Sequence, residues 1–206
     1  MAERPLPLFP LATVLYPGGV APLHIFEPRY RRMLGYCLEF DRRFGLIYHD
    51  PDVFGPFLNE PGQVGCVAYI ERVELLDDGR SLVLTTGKER FRIAGEVVDP
   101  DIPYFQAWIE EVPDTPVSSE ELTARRTASR DLFYAVLERV DDLPEPLPEF
   151  SVASELSYRL AATIDTTPAW HQELLEETDE RTRLDRVDAI FRAARAKIEE
   201  DERYDQ

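Results

Sequence analysis

The sequence of 206 residues contains very little lysine. Lys88 and Lys197 are its only lysines, and a serine–lysine peptidase needs a desolvated lysine beside its nucleophile. Lys88 falls in a strand region and Lys197 near the end of the chain, so neither is expected to act as a catalytic base. The sequence therefore argues against this type of peptidase.

Long apolar runs are also absent. No run approaches the roughly 18 residues that a membrane-spanning helix requires. The N-terminus leads into a proline-broken segment instead of the apolar core of a signal peptide. We therefore expect a cytoplasmic protein with no membrane segment.

Cysteine and histidine are scarce and scattered. Cys37 and Cys66 are too few for a disulfide framework and lack the paired spacing of a zinc site, so we expect both to be buried as small apolar side chains. The histidines His24, His49 and His171 fall in a strand, a loop and a helix of the prediction. The sequence thus predicts no metal site and no cofactor.

The chain also lacks the motifs of common catalytic sites. A phosphate-binding P-loop needs a glycine, four residues, then Gly-Lys-Ser/Thr. Gly87-Lys88 is followed by Glu89, and Leu82 stands where the leading glycine belongs. No G-x-S-x-G elbow surrounds a serine. We predict no catalytic residues and a protein that is not an enzyme.

Acidic residues are abundant. The chain has 40 acidic and 23 basic residues, a net charge of −17, and both halves share the excess. Affinity for nucleic acid depends on cations that neutralise phosphates. A nucleic-acid partner is therefore disfavoured.

The first half reads as strands interrupted by one helix, at about 28–41. Asp77-Asp78-Gly79-Arg80 predicts a tight hairpin, and Gly87 predicts a bulge or corner where the sheet curls. The expected strands are Leu6–Phe9, Leu23–Phe26, Phe44–Tyr48, Val64–Leu76, Ser81–Thr86, Arg90–Ala94 and Tyr104–Val112.

The second half reads as helical. Ser118-Ser119-Glu120-Glu121 resembles a capping box, and its helix is followed by a proline-rich connection over 143–148. Further helices are expected over about 149–164, after Thr167 and after Thr178, with these two threonines as the helix caps. These changes predict a β domain over 1–116 and a helical bundle over 117–206.

Several ordered blocks carry a family resemblance. They are Leu6–Leu11, Pro22–Tyr30, Gly65–Glu74, Asp78–Arg80, Thr86–Ile93 and Ala169–Asp179. Together they resemble the N-terminal, substrate-binding domain of the ATP-dependent Lon protease. The resemblance implies an α+β fold, with a curled PUA-like β domain before a helical bundle, and without the ATPase and peptidase domains.

The resemblance also implies a function. A Lon-type domain is expected to bind unfolded or exposed polypeptide segments, in a groove between the sheet and the bundle, without chemistry of its own. An adaptor or scaffold that docks a folded protein partner is the main alternative. A PUA-like RNA-binding module is a weaker one, because the charge disfavours it.

One loop suggests where the contact lies. Residues 52–59 contain glycine and proline, which favour exposure, yet also hold Phe54, Phe57 and Leu58. The loop either folds over the sheet edge and closes the core or contacts a polypeptide. Tyr16 and Tyr104 are expected to extend the same polypeptide-binding surface.

Overall fold

The computed structural model describes residues 4–140, 146–153 and 155–204. Within these ranges the chain forms six strands and six helices, which confirms the α+β class. In chain order they are β1 (Leu6–Leu11), β2 (Val20–Ile25), α1 (Pro28–Glu39), β3 (Arg43–Tyr48), α2 (Pro51–Phe54), β4 (Val64–Leu75), β5 (Ser81–Val97), β6 (Phe105–Glu111), α3 (Ser119–Leu137), α4 (Leu156–Ala161), α5 (Pro168–Glu176) and α6 (Glu180–Tyr204).

The sheet closes on itself through β5. Its strand order is β2-β5-β4-β3-β1-β6, and β6 pairs in addition with β5. Residues 81–86 of β5 pair with β2, and residues 91–97 pair with β6. β1 and β3 are parallel, and the other neighbours are antiparallel. Five strands thus form a closed barrel with β2 added outside it, which confirms the predicted curl.

Alternate side chains of the strands enter two separate apolar clusters, as the pleat requires. The barrel interior holds Leu6, Leu8, Ile47, Val67, Phe91, Ile93 and Ala107. A cluster on the outer face includes Phe9, Phe44, Cys66 and Ile70 of the strands and Met33, Leu34 and Cys37 of α1. Both thiols are fully buried, as predicted, and burial raises the pKa of Cys37 to about 12.

The Phe91 ring leaves no room for a side chain at two positions inside the barrel, Gly45 and Gly65. A Cβ atom added to Gly45 would lie 2.6 Å from the Phe91 ring, and one added to Gly65 would lie 2.7 Å from it. Real Cβ atoms do not approach other atoms so closely, and interiors pack at high density. The aromatic ring therefore fills the barrel because these two positions carry no side chain.

Both local turn predictions are confirmed. Leu76 N donates to Arg80 O at 2.9 Å, and Gly79 has φ +79° in the hairpin between β4 and β5. The register between β4 and β5 shifts beside Gly87, which marks a bulge. Gly87 N also donates to Gly19 O at 2.8 Å, so the main chain of the β1–β2 loop lies directly against the bulge.

Gly87→Ala is expected to lower the free energy of unfolding by about 2–3 kcal/mol, as overpacking commonly does. The added methyl would overlap the main-chain oxygen of Tyr16, which cannot rotate away. Urea denaturation followed by circular dichroism measures the change. The matched control is Gly35→Ala on α1, where no atom lies within 4 Å of the new Cβ. That variant should gain about 0.5–1 kcal/mol from helix propensity.

Contacts divide the chain into two compact units. The first comprises residues 1–113 with 166–176, and the second comprises 114–165 with 177–206. The predicted boundary between 116 and 117 assigned residues 166–176 to the helical bundle. Instead α5 packs on β4, with Leu174 and Leu175 buried, and so belongs to the barrel unit.

The second unit is built from α3, α4 and α6. Ser118 caps α3 as predicted, because its Oγ accepts a hydrogen bond from Glu121 N at 3.3 Å. The ring centroid of Phe133 lies 5.2 Å from that of Phe150 and 5.4 Å from that of Phe191. Leu184 and Val187 of α6 are fully buried in the same unit.

Two helix predictions in this unit were wrong. The helix expected over 149–164 is confined to α4, and it starts after Glu155, whose positive φ of 69° lies outside the helical region. Thr178 does not cap α6, because Asp179 Oδ1 accepts the bond from Arg181 N while Thr178 bonds Thr115. Residue 154 and residues 143–145 of the predicted connection lie outside the described residues.

A buried arginine ties the start of the second unit to α6. Arg183 is 1% exposed, and its two terminal nitrogens donate to the Asp114 carboxylate at 2.8 and 2.7 Å. Its Nε donates to Ser157 Oγ at 3.0 Å, and its guanidinium lies 4.4 Å from the Tyr158 ring centroid. Every part of this cation therefore has a partner, as a buried charge requires.

Asp114→Asn should destabilise the second unit by about 2 kcal/mol, because Arg183 then keeps its charge in the interior without the carboxylate that accepts from both of its terminal nitrogens. The pair of Arg130 and Asp131 provides the control, since Asp131→Asn removes an exposed carboxylate that also accepts two bonds from an arginine. Its effect should stay below about 0.5 kcal/mol. Equal losses of unfolding free energy in the two variants would contradict a special role for Arg183.

Candidate binding cavity beside helix α5

The barrel unit contains a cavity of about 450 Å³. Its walls come from the end of β3, the loop between β3 and β4, the start of β4, and one side of α5. The lining residues are Ile47, Tyr48, His49, Phe54, Pro56, Leu58, Glu60, Gln63, Val64, Ala169, Gln172, Glu173 and Glu176. A volume of this size falls in the range of ordinary ligand sites.

The β3–β4 loop has a defined conformation. Asp50 caps the short helix α2, because its Oδ1 accepts a hydrogen bond from Asp52 N at 3.0 Å. Gly55 ends that helix at φ +73°, a conformation that favours glycine. The His49 ring donates from Nε2 to Gly55 O at 2.7 Å, which closes the loop on β3.

The loop side chains divide into anchors and exposed groups. Phe57 packs against Phe105 of the barrel, with ring centroids 4.8 Å apart, and Asn59 donates to Gln106 O at 2.8 Å. Phe54 is 59% exposed and Leu58 is 63% exposed, and both line the cavity. The loop therefore covers the barrel with one set of side chains and presents a second set to solvent.

The two tyrosines expected to extend this surface do not do so. Tyr104 is buried in the outer-face cluster beside Tyr36, and burial raises its pKa to about 12. Tyr16 is 6% exposed, and its hydroxyl lies 2.9 Å from Nδ1 of His171. The prediction for these two residues was wrong because aromatic rings near loops can equally well complete a core.

Helix α5 presents two different sides. Its buried side carries Leu174 and Leu175. The opposite side places Ala169, Gln172, Glu173 and Glu176 along the cavity, at spacings that share one helical face. The sequence prediction omitted this wall, although the change from apolar to polar positions along 169–176 was a usable signal.

Side-chain hydrogen bonds of Tyr16, Gln172 and Arg90 hold α5 on the barrel. The Tyr16 hydroxyl contacts Nδ1 of His171, as described above, and donates to His171 O at 3.2 Å. Gln172 donates from Nε2 to Val64 O at 3.0 Å, and the buried Arg90 donates to Leu175 O at 3.0 Å. Thr167 caps the helix as predicted, since its Oγ1 accepts from Trp170 N at 3.3 Å. The position of the cavity wall is thus fixed by polar contacts as well as by apolar burial.

The cavity offers contact surfaces more than reactive groups. None of its lining residues, all in the described part of the chain, is a serine, threonine, cysteine or lysine. Among the described residues no three His, Cys, Asp or Glu side chains converge in a way that could hold a metal ion. A search of the same residues found no helix long and apolar enough to cross a membrane.

Comparison with known protein families assigns the chain. The model of the ATP-dependent protease La (LON) substrate-binding domain matches residues 5–190. The chain belongs to this family. The resemblance inferred from the strand and helix blocks is therefore confirmed.

The curated relatives of the chain bear the name Lon protease. "Lon protease 2" of Sorangium cellulosum is 32% identical over 142 residues, which are 68% of this chain and 17% of that protein. "Lon protease" of Paraburkholderia phytofirmans is 26% identical over 198 residues, which are 92% of this chain and 24% of that protein. The chain thus spans a quarter or less of the length of these relatives.

Solved structures share the fold over nearly the whole chain. The Lon N-terminal domain protein from Xanthomonas campestris superposes with a TM-score of 0.63 at 23% identity, covering 91% of this chain and 98% of that one. The N-terminal domain of the Mycobacterium avium complex Lon protease gives 0.66 at 19% identity, covering 89% and 96%. The LON substrate-binding fold therefore accounts for both the strands and the helices.

Tyr16→Phe should loosen α5 while the barrel stays folded. Loss of the hydroxyl removes its bond to His171, and one such bond contributes about 1 kcal/mol. Amide hydrogen exchange in 168–176 should then accelerate by about fivefold, with little change in β4 and β5. Tyr69→Phe on β4 is the matched control, and equal acceleration in that variant would show that the hydroxyl does not hold the helix.

Proposed function

We propose that this chain is a non-catalytic domain that binds unfolded or exposed polypeptide segments in the cavity beside α5. The observation that carries the proposal is the exposure of Phe54 and Leu58 at the cavity, in a loop whose neighbouring side chains anchor it to the barrel. Membership of the LON substrate-binding family supports a polypeptide as the ligand.

The physical basis is the removal of apolar surface from water. Exposed apolar side chains beside a concave surface are typical of interaction sites, and burial stabilises a complex by about 25 cal/mol per Å². Phe54 contacts Tyr48 and His49, with ring centroids 6.0 and 5.9 Å apart. Because these contacts and the anchored loop already order the side chain, binding loses less conformational entropy.

The size of the cavity favours side chains of a flexible partner. Its volume of about 450 Å³ accommodates a few side chains and does not require a large complementary face. An unfolded segment can insert such side chains without breaking a structure of its own. A folded partner, in contrast, exposes few adjacent apolar side chains. This difference separates the proposed receptor from an adaptor for folded proteins.

Replacement of both Phe54 and Leu58 by Ser should weaken binding of a permanently unfolded protein by at least about tenfold. Each side chain contributes roughly 1–2 kcal/mol through partial burial. Fluorescence anisotropy with labelled α-lactalbumin, reduced and carboxamidomethylated so that its blocked thiols carry no charge, measures the dissociation constant. Circular dichroism must show an unchanged fold.

The control is a double variant, Leu75→Ser with Val98→Ser. These residues are 77% and 80% exposed and do not line the cavity. Their replacement should leave the dissociation constant unchanged. Unaltered binding by the Phe54 and Leu58 variant would remove the cavity from the proposal. Failure of the parent protein to bind the unfolded probe, with capture of one stoichiometric folded protein, would instead indicate an adaptor.

A further inference from the structure

We propose that the cavity selects polypeptide segments in which a lysine or arginine lies beside apolar side chains. This inference rests on the proposed polypeptide binding and specifies its ligand. It follows from three exposed carboxylates that border the apolar part of the cavity: Glu60 on the loop, and Glu173 and Glu176 on α5.

The charge of the cavity is of one sign. Glu173 and Glu176 are three residues apart on α5, so their side chains share the face that lines the cavity. Glu60 contributes a third carboxylate from the loop. None of the lining residues, all within the described ranges, is a lysine or an arginine. An entering segment therefore meets negative charge from the loop and from the helix.

The end of α5 strengthens this negative potential. The last carbonyl groups of a helix carry a partial negative charge, which disfavours acidic side chains in the final turn. Glu173 and Glu176 nevertheless occupy that turn, which has no basic residue. Arg90 donates to one of these carbonyls, at Leu175, but it is 4% exposed and contacts the buried side of the helix. On the exposed side Glu176 accepts a hydrogen bond from Gln172 Nε2 at 2.8 Å, and a bound cation would add a favourable contact with the negative charge there.

The apolar residues and the carboxylates border one cavity. Phe54, Pro56 and Leu58 provide the apolar contacts, and the three glutamates border them. In an extended segment neighbouring Cα atoms are 3.8 Å apart, so an apolar side chain and a nearby basic one can enter together. Charge complementarity of this kind sets specificity and association rate more than total affinity. The apolar contact therefore allows binding, and the carboxylates choose among apolar segments.

Three labelled peptides test the inference. They share one apolar sequence and differ at two flanking positions, which carry lysine, glutamine or glutamate. Dissociation constants from fluorescence anisotropy at low salt should rise in that order, by about two- to fivefold for each charge replaced. At about 1 M salt, where charges are screened beyond roughly 3 Å, the three values should converge.

The double variant Glu173→Gln with Glu176→Gln should bring the dissociation constants of the lysine and glutamine peptides close to each other, because the carboxylates that favour the lysine peptide are removed. Glu71→Gln with Glu74→Gln is the control, because these two exposed carboxylates of β4 do not line the cavity. It removes the same net charge and should preserve the order. If both variants reduced the preference equally, the overall charge would be its cause and the inference would be overturned.

The results separate the two proposals. Binding of the glutamine peptide that depends on Phe54 and Leu58, with equal affinity for all three peptides, would overturn the charge selection and support the proposed function. Preference for the glutamate peptide, with the same dependence on Phe54 and Leu58, would also overturn the charge selection and support the proposed function. Failure of all three peptides, together with failure of the unfolded protein probe, would overturn the proposed function and this inference with it.

Discussion

Closure of the sheet by β5 is the constraint on which the first unit depends. One strand of 17 residues pairs with β2 and β4 near its start and with β4 and β6 near its end, so it must bend sharply between them. The bulge beside Gly87 permits that bend, and the main chain of the β1–β2 loop lies against it. A barrel of so few strands has a narrow interior, which Phe91 fills only because positions 45 and 65 are glycine.

The cavity is a consequence of this closure. Neighbouring antiparallel strands β3 and β4 are connected by 15 residues, far more than a hairpin turn needs, and this connection covers the end of the barrel. Phe57 and Asn59 attach it to β6, so Phe54 and Leu58 remain outside. Helix α5 then supplies the facing wall, held by Tyr16 and Val64 at positions more than a hundred residues away in sequence.

The sequence predicted local structure well and long-range contacts poorly. Hairpin, strand and capping signals depend on neighbouring residues, so Gly79, Ser118 and Thr167 were assigned correctly. Burial of Tyr16 depends on His171, and the grouping of α5 with the barrel depends on partners such as Arg90; no local pattern contains these contacts. The sequence could suggest the loop residues of the candidate site, because apolar side chains in a glycine- and proline-containing loop are conspicuous. It did not suggest the wall formed by α5.

Charge acts over a longer range than apolar contact does. This difference affects how such a cavity would select among polypeptide segments. A net charge of −17 attracts any cationic chain from a distance, and salt screens that attraction beyond about 10 Å at 0.1 M. Net charge cannot by itself determine where on the surface a ligand binds. Apolar contact acts only when surfaces touch, so in the proposed site Phe54 and Leu58 would determine where a segment binds. Carboxylates that border those same side chains act at contact distance, where screening is weakest. Selectivity for a basic residue therefore requires that the two kinds of group share one cavity, as they do here.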